Sequence, residues 1–411
     1  MTKHLRIVIT GSFGNFDIGD EAMLSQDLAF IRDSLGVSNE NIFLFGHRPD
    51  YVSSYHRHPR ECCFACSTLE SNWAGVKEKR GWRYHLRQQI RPLRGRGPLP
   101  SVDLRLESLL RSCDLAVVTG GGTVNTRDQG AGSLRRMHAM VSYFRHLGLP
   151  IFMSGQTIGP LGVCEEHDHL ACEIVDAIDV LTVRDHGYSR RYLEIIGARP
   201  KRLLETFDDA YSLPYRDIDL PTDVKTWFAG EGDVAAISVT DYTAGEPAKR
   251  MFIARLAERL LDQWVNRLVL VSHHPNDLSN LHMVHDMIEN SLKDRVLLPD
   301  TRHWQDSELK KMISQCRLAV GGRYHFIVFA GTSNTSFVGM CGNHYSYIKQ
   351  DGFARPLGLE DFVLTEKETW DMDIVLDRVK KAMKTPLTVD EMVGRPSASM
   401  ELLQVWLSSG R

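Results

Sequence analysis

The stretch Leu5-Arg6-Ile7-Val8-Ile9-Thr10-Gly11-Ser12-Phe13-Gly14-Asn15-Phe16-Asp17-Ile18-Gly19-Asp20-Glu21 decides how the rest of the chain is read. Its opening run is apolar and β-branched at consecutive positions, the mark of a strand covered on both faces in a parallel sheet. The run stops at glycines, and a helical pattern over Glu21–Leu35 follows. Strand, glycine turn and helix make the first part of a βαβ unit. The glycines do not have the G-x-G-x-x-G spacing of a dinucleotide loop. Asp20 and Glu21 stand where the helix should begin, with Asp20 as a plain N-cap the simplest reading. Carboxylates there satisfy the free amides and the helix dipole themselves, and they repel a phosphate. The loop therefore suits a hydroxyl-bearing ligand better than a nucleotide.

Outward from this unit the alternation recurs. Leu5–Thr10, Ile42–Phe45, Leu115–Thr119, Ile151–Ser154 and Val180–Val183 read as strands of the first half. Helical patterns cover Ser133–Leu147 and Tyr188–Ile196. In the second half, strands are expected at Ala235–Val239, Leu268–Ser272, Val296–Leu298, Leu318–Val320 and Ser336–Val338, with helices at Met251–Val265, Ser307–Gln315 and Tyr324–Ala330. Residues 205–232 carry Pro214, Pro221, Gly230 and Gly232 and little apolar periodicity, and read as a linker. The fold class is α/β: two Rossmann-like, doubly wound domains facing a cleft, with ligands at the carboxyl ends of the strands. The expected divisions are 1–210, 211–388, and a C-terminal helical pattern within 389–411 that crosses back to the first domain.

Composition agrees with a globular chain. Its 411 residues are 43% hydrophobic, 25% charged and 9% aromatic, so a large core needs neither disulfides nor metals. The 49 Lys+Arg against 52 Asp+Glu leave −3, so no global basic excess argues for nucleic acid. No apolar run reaches the ~20 residues of a membrane span, and the first ten residues read as a strand rather than a leader. The eight cysteines form no regular framework and are expected as reduced thiols of a cytoplasmic protein. His56 and His58 with Cys62, Cys63 and Cys66 read as packing rather than as a zinc site. Lys77–Arg96 holds eight basic residues against Glu78, with Trp82 and Tyr84 between them. A solvated face is the plain reading. Contact with anionic headgroups at the inner membrane face, or with a lipid-linked pyrophosphate, is the sharper one.

Several strand ends carry residues suited to chemistry. Gly120-Gly121-Gly122, with Asn125, Arg127 and Asp128 beyond, allow a backbone to approach a ligand closely. In Gly155-Gln156-Thr157-Ile158-Gly159-Pro160, Gln156 can donate to a sugar or carboxylate oxygen. Arg184-Asp185 ends a further strand, with Ser189 on the next helix. His273 and His274, in Ser272-His273-His274-Pro275-Asn276-Asp277, can line the cleft. The sharpest signal is Gly321-Gly322-Arg323-Tyr324-His325-Phe326, where a strand stops and a helix starts. The helix amides favour an anion, Arg323 offers a planar fork, and His325 is two residues on.

In this order the motifs resemble the polysaccharide pyruvyltransferase family. The matching residues are Gly14-Asn15 through Gly19-Asp20-Glu21, Gly120-Gly121-Gly122, Gly155 through Pro160, Arg184-Asp185 with Ser189, Asp209-Ala210, and Arg323-Tyr324-His325 with Phe329-Ala330. The resemblance implies a GT-B-like fold and transfer of pyruvyl from phosphoenolpyruvate to a sugar hydroxyl pair as a ketal, in surface polysaccharide or glycan assembly. It implies donor contacts from Arg323 and His325, and for Arg184 a part in donor binding or catalysis. Lys349, in Tyr345-Ser346-Tyr347-Ile348-Lys349, resembles a further basic position of the family. The acceptor, a saccharide free or lipid-linked, would meet Asp20 and Glu21. Where the family commonly carries an Arg after the strand Ala235–Val239, this chain has Thr240-Asp241, and Asp128 falls one residue late after the glycine triplet.

Phosphoenolpyruvate carries a phosphate and a carboxylate, so cations should converge on it. His325 is the expected general acid toward its methylene carbon, and Asp20 or Glu21 the base toward the sugar. No cofactor and no metal are called for. Two other readings stay open: a nucleotide-sugar glycosyltransferase of the same fold, which needs a base and ribose pocket, and a glycan- or anion-binding member without activity.

Overall fold

The computed structural model describes residues 5–78, 103–126, 131–387 and 397–409. Most of the basic stretch after residue 78, together with Arg127, Asp128 and residues 388–396, lies outside them.

β1 (Ile7–Thr10) shows why the first strand is apolar throughout. Val8 packs into one cluster of buried side chains, whereas Ile7 and Ile9 pack into another on the opposite face of the sheet. β1 pairs in parallel with β2 (Ile42–Gly46) and β4 (Leu115–Val118), Ile7 standing opposite Ile42 and Leu115. β3 (Cys63–Ala65), β5 (Ile151–Gln156), β6 (Val180–Val183) and β7 (Leu203–Glu205) complete the order β3-β2-β1-β4-β5-β6-β7. The second sheet repeats the scheme. β8 (Val234–Ser238), β9 (Arg267–Val271), β10 (Val296–Leu297), β11 (Leu318–Gly321), β12 (Ser336–Met340) and β13 (Val363–Leu364) lie in the order β10-β9-β8-β11-β12-β13. In each, the order reverses beside the first strand, which places a crevice at its carboxyl end.

All ten expected strands form, their ends displaced by at most two residues. Three further strands, β3, β7 and β13, are edge strands of two or three residues, too short to show a period. The helix expected at Met251 starts earlier, as Pro247–Gln263, because Pro247 is suited to a first turn that has no amide to satisfy. The first helix is Ile18–Asp33, and its N-cap is Asp17 rather than Asp20: Asp17 accepts from the Gly19 amide at 3.0 Å. Asp20 is thereby left in the first turn without a capping role.

Residues 206–233 do join the sheets, but their start is no solvated linker. A tight turn, Asp209–Ser212, is wholly buried, and Asp208 caps it by accepting from the Ala210 amide at 2.8 Å. This turn packs against the Ile18–Asp33 and Tyr324–Thr332 helices. At the other end, the helix Ala398–Ser408 buries Met400, Leu403 and Trp406 on the first sheet, with the Trp406 and Phe152 rings 6.1 Å apart. Among the described residues, no helix is long and apolar enough to cross a membrane.

Candidate active site

A cavity of about 740 Å³ is lined from both domains, by Ser12, Asp17, Asp20 and Gly122 on one side and by Thr240, Arg323, His325 and Lys349 on the other. It forms where the glycine loops after β1, β4 and β11 let neighbouring backbone and side chains approach closely. A Cβ on Gly321 would sit 2.5 Å from the Ser238 carbonyl oxygen, and one on Gly122 1.5 Å from the Tyr345 hydroxyl. That hydroxyl donates to the Gly122 carbonyl at 3.0 Å and bridges the domains.

Arg323 caps the helix Tyr324–Thr332 from the end of β11. Its Nε and Nη2 grip the two oxygens of Asp277 at 2.9 and 2.5 Å, and its Nη1 reaches Asp17 across the cleft at 3.2 Å. Asp277 is buried, and burial outweighs the neighbouring guanidinium to raise its pKa. The bidentate grip fixes the plane of Arg323.

Arg184, at the end of β6, is buried. Its Nη1 donates to Asp208, its Nε to the Thr157 hydroxyl at 3.1 Å, and its guanidinium lies 4.6 Å from the Tyr324 ring centre. The adjacent Asp185 does not pair with it. Asp185 instead accepts from the amide and hydroxyl of Ser189 at 2.6 and 2.5 Å and pins the next helix.

Lys349 projects from the helix His344–Ala354 between the Tyr345 and Tyr324 rings, 4.2 and 5.7 Å from their centres. Among the described residues, no carboxylate lies within ion-pair distance of its ammonium. Burial, then the charge of Arg184, pushes its pKa down to about 8.

His325 stands at the meeting point. Its Nε2 lies 3.4 Å from Asp208 Oδ2 without hydrogen-bond alignment, and its ring rests on Gly19, where a Cβ would come 1.8 Å from Nδ1. One carboxylate oxygen of Asp17, one of Asp20 and a ring nitrogen of His325 all fall within 4.8 Å of one another. Burial, then repulsion from Asp17, pushes Asp20 up to about 7. Asp208 goes the other way: burial would raise its pKa, but Arg184 and His325 hold it well below the usual carboxylate range. His273 faces the cavity with neither ring nitrogen partnered, and burial pushes it down to about 3, so it is neutral.

Five residues expected at the site are elsewhere. Glu21 is turned inward, accepting from the Gly14 amide at 2.7 Å and facing His56 Nε2 at 2.8 Å, with burial raising its pKa to about 8. Its position one residue past Asp20 rotates it about 100° around the helix, away from the cleft. His274 is spent as a helix cap, its Nδ1 accepting from the Asn276 amide at 3.1 Å. Gln156 lies within the sheet, donating to the Thr119 and Ser154 carbonyls at 3.1 and 2.8 Å. Asn125 folds back onto the Gly122 carbonyl. The Gly121 carbonyl accepts from the Thr157 amide at 2.8 Å, and its φ of +147° suits glycine. Thr240 lines the cavity but caps the short helix Asp241–Ala244 and supplies no charge. The Cys/His stretch does not gather: His58 Nε2 faces the Ile42 carbonyl at 2.9 Å, while His56 meets Glu21.

Sequence reasoning misses Asp208, Asp17 and Asp277 as members of the site. The available signal is a doubled acid, Asp208-Asp209, running straight into the apolar Ala210-Tyr211, since an acid that such a segment carries into the interior needs a partner there.

Comparisons with known proteins agree with this architecture. UDP-GlcNAc 2-epimerase from Methanocaldococcus jannaschii superposes with a TM-score of 0.60 at 8% identity, covering 98% of this chain and 99% of that one. The enzyme of the same name from Neisseria meningitidis gives 0.57 at 11%, covering 98% and 99%. The α,α-trehalose 6-phosphate synthase from Burkholderia multivorans gives 0.50 at 14%, covering 99% and 97%. At such identities these likenesses establish the fold, two Rossmann-like domains in the GT-B arrangement. No curated protein matches the chain by sequence. The profile described as polysaccharide pyruvyl transferase matches residues 18–345, a span that runs from the Asp17-capped helix to Tyr345 and takes in Arg184, Asp208, Arg323 and His325. The chain belongs to the polysaccharide pyruvyl transferase family.

Proposed function

We propose that this protein transfers pyruvyl from phosphoenolpyruvate to two hydroxyls of one sugar residue, releasing phosphate and forming a ketal. The observation that carries the proposal is Lys349: a half-buried ammonium, free of any carboxylate among the described residues, in the same cavity as His325 and Asp20. A buried cation without a counterion is costly unless a ligand supplies the charge. Arg184 and Arg323 stand beside it, already oriented by Asp208 and Asp277.

In this mechanism Lys349, Arg184 and Nη1 of Arg323 hold the donor's carboxylate and phosphate. His325 delivers a proton to the methylene carbon, which becomes a methyl group and leaves the neighbouring carbon electrophilic. A sugar hydroxyl adds there as Asp20 takes its proton. A second hydroxyl then forms the other carbon–oxygen bond, and phosphate leaves with that hydroxyl's proton. Asp208 stabilises the imidazolium form of His325 before transfer.

The test is ligand-induced stabilisation of wild type and Lys349→Met with phosphoenolpyruvate, inorganic phosphate and UDP-sugars. A ligand at ~100 times its Kd stabilises by about 2.7 kcal/mol. A shift with phosphoenolpyruvate that Lys349→Met loses is the expected result. A shift with UDP-sugars alone would replace this reading with glycosyl transfer.

A further inference from the structure

Lys310 is fully buried and takes no part in the cavity. It lies on the helix Asp306–Ser314, behind the turn that carries Asp208. Its Nζ donates to the Tyr211 and Leu213 carbonyls, at 3.2 and 2.9 Å, and the Tyr215 ring centre is 5.3 Å away. No carboxylate is within ion-pair distance among the described residues. A lysine amine in such a place, its pKa pushed down to about 7 by burial, gives up its hydration for two carbonyls and two aromatic faces, which is poor compensation on stability grounds alone. What it holds is specific. Tyr211 and Leu213 belong to the segment that Asp208 opens, and Asp208 in turn receives Arg184 and faces His325.

We propose that Lys310 is a positioning residue of the active site, pinning the 208–213 turn through its carbonyls so that one carboxylate can hold Arg184 and His325 together. An apolar side chain of similar length would fill the volume but leave those carbonyls without a donor in a buried setting. The turn would then shift toward water and carry Asp208 with it. The inference rests on the proposed role of His325 for its consequence in catalysis, but not for the order it predicts in the turn.

The experiment compares wild type, Lys310→Met and Lys310→Gln by hydrogen–deuterium exchange over peptides spanning 207–215, alongside the NMR chemical shifts of isotope-labelled His325 at fixed pH. In Lys310→Met, exchange of the Tyr211 and Leu213 amides should accelerate at least tenfold, and the His325 ring resonances should move as the Asp208 carboxylate draws away. Lys310→Gln keeps amide donors and should restore at least half of the protection. It also decides the matter if the Met variant does not fold. Wild-type exchange and unmoved His325 resonances in the variants would overturn the proposal. If phosphoenolpyruvate is not the donor, turnover of that compound fails in the wild type as well, while the exchange and chemical-shift differences remain.

Discussion

One oxygen of Asp208, Oδ2, receives Arg184 Nη1 and also stands 3.4 Å from His325 Nε2. A single carboxylate thus fixes the proposed donor-binding cation and the proposed acid in one frame, and couples the end of β6 in the first domain to the first turn of a helix in the second. Asp208→Asn keeps the shape and removes the charge. The variant should lower kcat by ~10-fold or more, since Arg184 and His325 lose the anion that stands between them. Phosphate-release kinetics checks it.

His325→Asn should remove the proton donor while leaving the cations in place. Turnover should fall by ~10²–10⁴, with phosphoenolpyruvate affinity within about threefold of wild type. Unchanged turnover, measured as phosphate release in the presence of acceptor, would exclude His325 as the acid.

Lys349→Met should act on binding. A hydrogen bond to a charged group contributes roughly 1.5–3 kcal/mol, so donor affinity should weaken about 10- to 150-fold by calorimetric titration. Lys349→Arg keeps a charge that does not titrate near neutrality.

The pH profile follows from two groups. Asp20, pushed up to about 7, accepts a proton only once ionised, so kcat/KM should rise through that pH. Lys349, pushed down to about 8, binds an anion only while protonated, so kcat/KM should fall above that pH. The expected curve is a narrow bell between these values. Lys349→Arg should move its alkaline limb upward, and a profile in which that limb stays at the same pH would assign it to another group.

Asp20 and Glu21 can be separated. Glu21→Gln preserves an oxygen for the Gly14 amide and an N–H for neutral His56, so turnover should stay within about threefold. Asp20→Asn removes the base and should cost ~10²-fold or more. Parallel phosphate-release assays would refute the assignment if the two losses were alike.

Most of the framework was open to reading from the chain, because strands buried on both faces are apolar without interruption and their glycine ends stand out. Val180–Val183 and Tyr188–Ile196 match residue for residue. The site was legible where chemistry and turn coincide, as at Gly321 through His325. It was not legible where position depends on packing between the domains. Nothing local tells that Asp20 faces the cleft while Glu21 faces His56, since that depends on which side of the helix the glycine loop closes over. Nor does a proline-bearing connection announce that its first residues are buried. The pairing of Arg323 with Asp277 spans 46 residues, and only the juxtaposition of β9 and β11 on either side of β8 brings it about.

The return of the C-terminal helix to the first sheet has a mechanical meaning. The chain passes between the domains once after β7 and again before Ala398, so two covalent crossings join bodies that share one cleft. A single crossing would let one body swivel freely against the other. Two define an axis, about which bending is easy and twisting is not. Opening the cleft would then part Asp17 from Arg323 and Gly122 from Tyr345 along a reproducible path, and closing it would return His325 to its seat on Gly19 in register each time.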